Sequence, residues 1–586
     1  MGEKAVQSSG GIIEKTLNKI SDRLLNLSKK TEGIQGKTPE FLVVLLYCVF
    51  HMLMMLVHEP WFDEALAWLI SRDSSLYDII FSVPHYEGHP SLWHLVLMPF
   101  AKLGAPYEFS LSFVSLIFSG TAMVILVYKA PFKRIIRLLI PFTFYLFYQY
   151  SVISRPYCMM MLAIILMGLT YPKKDEHPGR FVLSMLFLCM TGAYGLVISC
   201  GICIVWLVEM WRGNTYKISG DSQECNSGIK GMVKNLLSHG KIVWLLLLLC
   251  YAIFILLRII PKKDAYAELN RTGTVVFGLV GRVVYTLFGG ISDIFITNTF
   301  SQDGTLANAG ITIPELFSCV AIGAVILLVI FMISRKKRLT LLFFLPYSML
   351  CISMAVLYAS RHHIGIILLY LIFWAWVYCK KENKENEEKQ EFSPSTRSLG
   401  VLALTLGLII PLYWGISSSI FDAFYSYSWG REESAYLIEN NLQNKSILAE
   451  WSLMPTLPEE KETVDDSQAS VLKEAITFSG PVVYLSPYIP DAQFINSPDK
   501  MGYSFGFIHK VPQENETSEL ITSIRSSEKP DVIIGEVNYS AIYSFGEFDM
   551  NDYVCVHTLQ GGAIWKGVPQ IHDSKIYVSK KVLSQN

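Results

Sequence analysis

Long apolar runs separated by short polar segments make up most of the chain up to residue 420. A helix that crosses a bilayer needs about 20 apolar residues, and hydropathy indicates about eleven such runs. They are 41–58, 108–129, 134–151, 156–171, 181–194, 195–211, 241–259, 314–334, 339–358, 363–379 and 399–420. The pattern predicts a mainly α, polytopic membrane domain over residues 41–420, preceded by a polar segment over residues 1–40.

Basic residues alternate between the gaps that separate these runs. Such residues collect on the cytoplasmic side of membrane proteins. The clusters lie at 133–137, 173–174, 217–234, 335–338 and 380–381. This alternation predicts a cytoplasmic N-terminus, and an odd number of spans then places the C-terminus outside the cell.

Two apolar stretches do not fit the spanning pattern. The run 91–103 is too short to span, so we expect 59–107 to form one outer loop with two interfacial helices. A second outer loop, 260–314, contains VVFGLVGRVVYTLFGGI, which we expect to be interfacial or re-entrant.

The composition becomes polar after about Phe421. The segment ESAYLIENNL has a helical pattern, whereas KSILAEWS, PVVYLSP, DVIIGEV, DYVCVHTL and KIYVSKK have the pattern of short strands. Residues 421–586 are therefore predicted to form an extracytoplasmic α/β domain, held outside the membrane by the last helix.

Composition and charge narrow the class of protein. Hydrophobic residues make up 52% of the 586 residues and charged residues 17%, against about a quarter charged in ordinary soluble domains. The formal net charge of -1 provides no field that would attract nucleic acid. Cys555 is the single cysteine of the polar C-terminal part, which excludes an internal disulfide framework there. We expect a multi-pass protein of the plasma membrane.

Two adjacent acids follow the first apolar run, in the segment HEPWFDEALAWLISRD. Asp63 and Glu64 lie there among Trp61 and other apolar side chains. Both could simply cap an interfacial helix, because acids favour first turns. Neighbours on one helix point about 100° apart, so one could carry chemistry while the other is structural.

A second cluster lies in PHYEGHPSLWH, which contains His85, Glu87, His89 and His94. Two or three histidines with an acid could bind a metal ion, although the spacing fits no standard zinc pattern. The alternative is a rigid turn followed by a helix start at Pro90. We predict no metal site here.

Cations form the third cluster. Arg155 lies in ISRPY, and Arg361, His362 and His363 lie in YASRHH, each at a predicted outer helix end. A single arginine there could merely extend to the lipid headgroups. Its planar fork also suits phosphate oxygens. A carboxylate near a bound lipid phosphate, with cations beside it, is what transfer of a group from that phosphate needs.

The motifs WFDEALAW, GHPSLW and SRPYCMMMLAIIL, in this order, resemble those of the GT-C class of membrane glycosyltransferases. The closest resemblance is to the family 39 and protein-mannosyltransferase-like group, which includes the aminoarabinose transferases of lipid A. That group has an acidic pair in its first outer loop, a turn like HPPL and a helix start like ARPY. This chain has Ser91 and Ser154 in place of the second proline and the alanine. The resemblance covers about 1–210 well and 339–379 loosely.

The resemblance implies inverting sugar transfer from a polyprenyl-phosphate donor to an outer-face acceptor glycan, lipid or protein. Asp63 would be the general base, and Glu64 would orient the loop or the acceptor. An apolar groove beside Trp61, Trp68 and Trp93 would hold the isoprenoid. The residues expected to balance the donor phosphate are His89, Arg155, Arg361 and His362. The residues expected to contact substrate are Trp61, His85, Glu87, Trp93, Tyr157 and Tyr194. No cofactor is implied, and a divalent metal is not expected.

Two other functions fit parts of the pattern. A transporter or flippase of lipid-linked sugars would also present charges at the outer face, but it should show midplane charges or broken helices in repeated halves. The sequence shows few such charges and no repeat. A non-catalytic sensor with an outer α/β domain would not need the three motifs. We therefore predict the glycosyltransferase.

Overall fold

The structure is a computed structural model of the 586-residue chain. It describes residues 29–212, 229–265, 276–300, 312–357, 360–385, 394–449, 480–495, 509–510, 529–535 and 550–585, with isolated positions before residue 29. The fold and the site are described within these ranges.

The chain is mainly helical up to residue 439. In chain order the α-helices are α1 Thr38–Val57, α2 Phe62–Asp73, α3 Leu76–Phe81, α4 Pro84–Glu87, α5 Leu92–Lys102, α6 Tyr107–Lys129, α7 Arg134–Leu139, α8 Tyr157–Thr170, α9 Pro178–Cys189, α10 Ala193–Trp211, α11 Ile229–Leu237, α12 Lys241–Ile259, α13 Val276–Asp293, α14 Ile313–Lys336, α15 Thr340–Val356, α16 Gly365–Glu385, α17 Pro394–Asp422 and α18 Gly430–Glu439. Each predicted apolar run coincides with helix, so the positions of the helices are confirmed.

Within the described residues, fewer of these helices meet both the length and the hydropathy needed to cross a membrane than the sequence predicts. Within the described residues, five have the required length and hydropathy, or six if one bent pair is counted as a span. The five are Thr38–Val57, Tyr107–Lys129, Ala193–Trp211, Gly231–Ile259 and Ile313–Lys336. Three other runs form helices of 10–17 residues, and at 1.5 Å per residue these fall short of a hydrocarbon core of about 30 Å.

The predicted run 134–151 is not one straight helix. It forms α7, a 3₁₀ turn Ile140–Phe142 and a π-helical segment Tyr145–Val152, with a bend of 40° between the two parts. Pro141 lies in the 3₁₀ turn, and proline cannot donate the hydrogen bond that would continue the helix. Gly415 of α17 packs directly against the backbone of this break. The helix α17 therefore packs against the break between α7 and the π-helical segment.

A five-stranded sheet forms the core of the C-terminal domain, with strand order β2-β1-β3-β5-β4. The strands are β1 Ser446–Ala449, β2 Gln493–Phe494, β3 Val532–Ile534, β4 Tyr553–Trp565 and β5 Val568–Ser579. Strands β1, β2 and β3 are parallel, and β4 and β5 form an antiparallel hairpin. The sheet and the helix α18 confirm the predicted α/β character of this domain.

One predicted strand is wrong. The segment PVVYLSP lies largely in the helix α19 Gly480–Leu485, which packs against α2 and α18. Val482, Val483 and Leu485 are buried there. A short apolar run has no periodicity that separates strand from helix, so packing against α2 determines its conformation.

The segment 59–107, predicted to be an outer loop with two helices, contains four helices, α2 to α5. It is attached to the C-terminal domain by polar contacts. Arg431 of α18 donates to Glu108 at 2.8 Å from both Nε and Nη2. Its backbone N–H donates to Glu59 at 2.7 Å. Loop and domain therefore meet over the end of α1.

Candidate functional site

The two adjacent acids of α2 point in different directions. Glu64 is fully buried, and its carboxylate accepts the backbone N–H of Trp61 at 3.1 Å and that of Ser154 at 2.5 Å. The first bond caps α2, as the helix-cap interpretation predicts for an acid in the first turn. The second bond fixes the chain just before Arg155. Glu64 thus holds the start of α2 against the chain before Arg155, and its carboxylate is closed to solvent.

His58 joins three separate segments through buried carboxylates. Its Nδ1 lies 2.7 Å from Asp422 Oδ2 at the end of α17, and its Nε2 lies 3.2 Å from Glu64 Oε2. Burial lowers the pKa of His58, but the two neighbouring carboxylates outweigh burial and raise this pKa well above its usual range. The ring is therefore protonated and donates from both nitrogens. It links the end of α1 to α2 and to the end of α17.

Asp63 is the member of the acidic pair that reaches solvent. Its side chain is 32% exposed, and its Oδ2 lies 2.9 Å from Nη1 of Arg155. Arg155 is held from other sides as well, because its guanidinium lies 5.4 Å from the ring centroid of Trp61 and 5.3 Å from that of Tyr157. The structure brings together the acid and the first of the arginines that the sequence singled out.

His362 completes this contact as a neutral ring. Burial, with His363 and Arg155 nearby, holds its pKa well below the usual range. Arg155 Nη1 lies 3.4 Å from His362 Nε2, and a guanidinium can only donate. The single ring proton is then on Nδ1, which donates to Ser360 Oγ at 2.6 Å. His362 therefore supplies a polar contact rather than a positive charge.

A cavity of about 240 Å³ opens beside these residues, between the helical domain and the C-terminal domain. Its polar lining includes one acid, one arginine, one histidine and two amides: Asp63, Arg361, His362, Gln149 and Gln570. Its aromatic lining includes Trp61, Tyr427, Trp429, Tyr484 and Trp565. Cavities with an apolar wall and a few convergent polar groups are typical ligand sites.

The residues of the second cluster do not line this cavity. His85 donates from Nδ1 to the carbonyl of Ile260 at 2.7 Å, and Glu87 is paired with His509 at 2.7 Å. Burial and nearby Arg155 lower the pKa of His89 to about 4, so this ring is neutral. The role of His89 at the donor phosphate stays a prediction.

Trp68 and Trp93, which were predicted to lie beside the isoprenoid, are 3% and 2% exposed and pack in a buried apolar cluster. They do not line the cavity, and their contact with a lipid stays a prediction. Tyr157 stacks on Tyr150 with ring centroids 4.9 Å apart, and Tyr194 contacts the ring of His363 at 5.1 Å. Neither tyrosine is among the residues that line the cavity.

Several residues around the cavity were not predicted from the sequence. His58 and Asp422 are 364 positions apart, and the hairpin residues Trp565 and Lys566 lie far from the helices that they contact. One signal was available, since Asp422 and Asp293 both end long apolar segments. A charge in that position needs a partner when it is buried.

Within the described ranges, no group of three or more His, Cys, Asp or Glu side chains is placed to hold a metal ion. The chain matches no protein-family model, and neither curated proteins nor solved structures show significant similarity to it.

Proposed function

We propose that this protein is an inverting glycosyltransferase that moves a sugar from a polyprenyl-phosphate donor to an acceptor at the outer face of the membrane. The observation that carries the proposal is the partly exposed carboxylate of Asp63 at the cavity wall, 2.9 Å from Arg155, with Arg361 on the same cavity. Transfer from a lipid phosphate needs one base and fixed positive charge near the leaving oxygen.

In the proposed reaction, Asp63 takes the proton of the acceptor hydroxyl. The acceptor oxygen forms a bond to C1 of the sugar from the face opposite the phosphate. The bond between C1 and the phosphate oxygen breaks, and its electron pair remains on the phosphate. Charge therefore moves from Asp63 to the lipid phosphate, where Arg155 and Arg361 stabilise it.

The ion pair between Asp63 and Arg155 has a consequence for this reaction. The carboxylate oxygen that would accept the proton is occupied by a guanidinium N–H. A bound phosphate competes with Asp63 for the N–H groups of Arg155, since guanidinium binds phosphate oxygens in a bidentate manner. Binding of the polyprenyl-phosphate sugar would thus draw Arg155 away from Asp63 and leave the carboxylate able to act as a base.

The test is a transfer assay with purified protein in lipid nanodiscs. The donors are a panel of polyprenyl monophosphates that carry radiolabelled glucose, mannose, galactose or arabinose, and a lipid extract of the producing cells supplies the acceptor. We expect one donor to be consumed, with release of polyprenyl monophosphate and inversion at C1. If no donor in the panel loses its sugar, or if Asp63→Asn consumes it at the wild-type rate, the proposal is wrong.

A flippase for lipid-linked sugars is the alternative, and one observation favours it. The described part of the chain contains a broken helix, formed by α7 and the segment Tyr145–Val152, and broken helices are typical of transporters. The π-helical segment carries no charged residue, which weakens this argument. In sealed vesicles, a flippase would move the labelled donor across the bilayer with its sugar still attached, whereas the transferase would not.

The proposed reaction also requires the cavity to face outward, with the N-terminus in the cytoplasm. Cys555 is exposed on β4 of the C-terminal domain. In a variant that keeps only this cysteine, an impermeant thiol reagent should label intact cells. Labelling that occurs only after the cells are lysed would place the domain and the cavity on the cytoplasmic side and contradict the proposal.

A further inference from the structure

The β4–β5 hairpin reaches well beyond the sheet to which it belongs. Its base pairs with β3, where Ile534 is opposite Ile576. From there it continues to Val568, eight positions on, which at about 3.3 Å per residue is roughly 26 Å. The turn is formed by Lys566 and Gly567, both with positive φ (48° and 81°). Positive φ at both central residues is the geometry of the tight turns that fit a twisted hairpin.

The tip of this hairpin lies inside the helical domain. Lys566 Nζ is 2.8 Å from Asp293 Oδ2, and both side chains are fully buried. The ammonium also donates to the carbonyl of Thr297 at 3.1 Å and to that of Asp293. Lysine has three donors, and all three are used here. An ion pair is tolerated in such a site only when it is completed in this way.

A second contact holds the hairpin below its tip. Gly562 donates its backbone N–H to the carbonyl of Ser426 at 3.0 Å. A Cβ at Gly561 would come within 2.2 Å of Trp429 Nε1, so only glycine permits this approach. The hairpin is thus fixed against both the helical core and the segment that leaves α17.

These two contacts place Trp565 against the arginine of the cavity. The Arg361 guanidinium lies 4.7 Å from the Trp565 ring centroid, and the indole packs against Phe144 with ring centroids 5.0 Å apart and an interplanar angle of 88°. A guanidinium held over an aromatic ring by a cation–π contact still has N–H groups that can bind phosphate oxygens. Arg361 and Trp565 both line the cavity.

We infer that the hairpin tip is part of a binding site for a lipid phosphate headgroup. Trp565 is a positioning residue that holds the guanidinium of Arg361 in the orientation that binds the phosphate, and the Lys566–Asp293 pair fixes the tip. The C-terminal domain is then a component of the site rather than an appended module. The identity of the phosphate as a polyprenyl phosphate rests on the proposed function.

Binding of radiolabelled polyprenyl monophosphate to the full-length protein in detergent tests this inference without turnover. We expect Trp565→Leu to weaken binding about tenfold, as for loss of a desolvated cation–π contact, and Trp565→Phe to retain most of the affinity. Trp211→Leu is the matched control, because Trp211 is 53% exposed at the end of α10. It should bind the probe as the wild type does.

A double-mutant cycle separates positioning from general stability. If Trp565 acts through Arg361, Trp565→Leu should cause no further loss in an Arg361→Ala background. If Trp565→Leu weakens probe binding about tenfold in the Arg361→Ala variant as well, the inference is overturned. Wild-type binding by Trp565→Leu, or no binding of the probe by the wild-type protein, would also overturn it.

The Lys566–Asp293 pair has its own test, because single variants are expected to lower stability. Lys566→Met leaves a buried carboxylate unpaired, whereas Lys566→Met with Asp293→Leu removes both charges. We expect the single variant to lose probe binding and the double variant to recover it. If the folded single variant still binds the probe, the Lys566–Asp293 pair does not support the site.

The outcomes also separate this inference from the proposed function. Probe binding that depends on Trp565 through Arg361, without consumption of any sugar donor, would support the headgroup site and contradict the transferase. Sugar transfer that is unaffected in Trp565→Leu would support the transferase and overturn the inference.

Discussion

The two ends of α1 both contain buried charge, but the charges are arranged differently. At the N-terminal end, Glu40 accepts from Arg134 Nε at 2.7 Å and from Nη2 at 2.8 Å. The other N–H groups of this arginine donate to the backbone carbonyls of Thr31, Ile34 and Gly36. Every donor is used within the protein, so this end has nothing left to offer a ligand.

At the C-terminal end, structural and exposed charges are adjacent. His58 is enclosed between Glu64 and Asp422 in the same complete manner as Arg134. One residue before Glu64, however, Asp63 lies at the cavity wall, with its partner Arg155 behind it at 2.9 Å. The comparison teaches that burial of charge alone does not indicate function. The indication is a charged pair that is held rigidly on one side and open on the other.

The strongest test of this contrast is Asp63→Asn, which keeps the shape of the side chain and removes its basicity. We expect sugar transfer to fall by at least about 10²-fold, the typical contribution of a general base, with normal expression. Asp73→Asn is the matched control, since Asp73 lies on the same helix in an exposed pair with Arg72. The measurement is release of radiolabelled sugar from the active donor. Similar losses in both variants would contradict the special role of Asp63.

Removal of Arg155 or of Arg361 should have the next largest effect. Arg155→Ala or Arg361→Ala should slow transfer by about 10²-fold, by analogy with loss of one oxyanion donor. Arg72→Ala should leave the rate unchanged. If the arginines balance the charge of the leaving phosphate, EDTA should have little effect. Loss of activity in EDTA that Mg²⁺ or Mn²⁺ restores would show that the arginine mechanism is wrong.

Glu64→Gln should cost less than Asp63→Asn, because Glu64 acts through the position of the loop. The amide can still accept the N–H of Ser154, but it cannot pair with protonated His58. We expect transfer to fall by about tenfold, as for a small misplacement of a reacting group, together with a lower Tm. A loss as large as that of Asp63→Asn without a change in Tm would indicate a direct chemical role for Glu64.

Arg134→Ala tests the closed end of α1. The pair with Glu40 is buried and complete, so its removal should lower the Tm by several degrees. The transfer rate per folded molecule should remain at the wild-type level. A fall in that rate at temperatures well below the Tm would mean that the two ends of α1 are coupled.

The smallest effect concerns the pH dependence of stability at Glu59, which is 1% exposed. Burial raises its pKa to about 7 from 4.5, although the backbone N–H of Arg431 opposes this shift. A raised pKa means that the stability it contributes is present below pH 4.5 and is lost as the pH rises through about 7. The Tm of the wild type should fall more steeply over this range than that of Glu59→Gln. Equal slopes for both proteins would contradict the shift.

The features that the sequence predicts correctly depend on short stretches of chain. Hydropathy located the helices that contain the eleven long apolar runs, because burial in lipid or in a helical bundle requires a continuous apolar run. The motifs around Asp63, Arg155 and Arg361 are also local. The structure places Asp63 beside Arg155 and brings both Asp63 and Arg361 to one cavity.

Long-range pairing explains what the sequence does not predict. The partner of His58 lies 364 positions away, and Lys566 is 273 positions from Asp293. No periodicity or spacing connects such residues. The hairpin was foreseen only as two short strands, because Gly561, Gly562 and Lys566 interrupt the alternation that marks a strand.

The buried Lys566–Asp293 ion pair also has a consequence for the order in which the parts of the protein fold. Asp293 is synthesised 273 residues before the lysine that neutralises it. Until Lys566 has been made and has reached its place, the helical domain contains a carboxylate without its cation. Truncation before Lys566 would therefore leave every helix of that domain intact in sequence but without the cation that neutralises Asp293. Cellular quality control should remove a protein truncated in this way, whereas it should tolerate a protein in which both Lys566 and Asp293 are replaced by apolar residues.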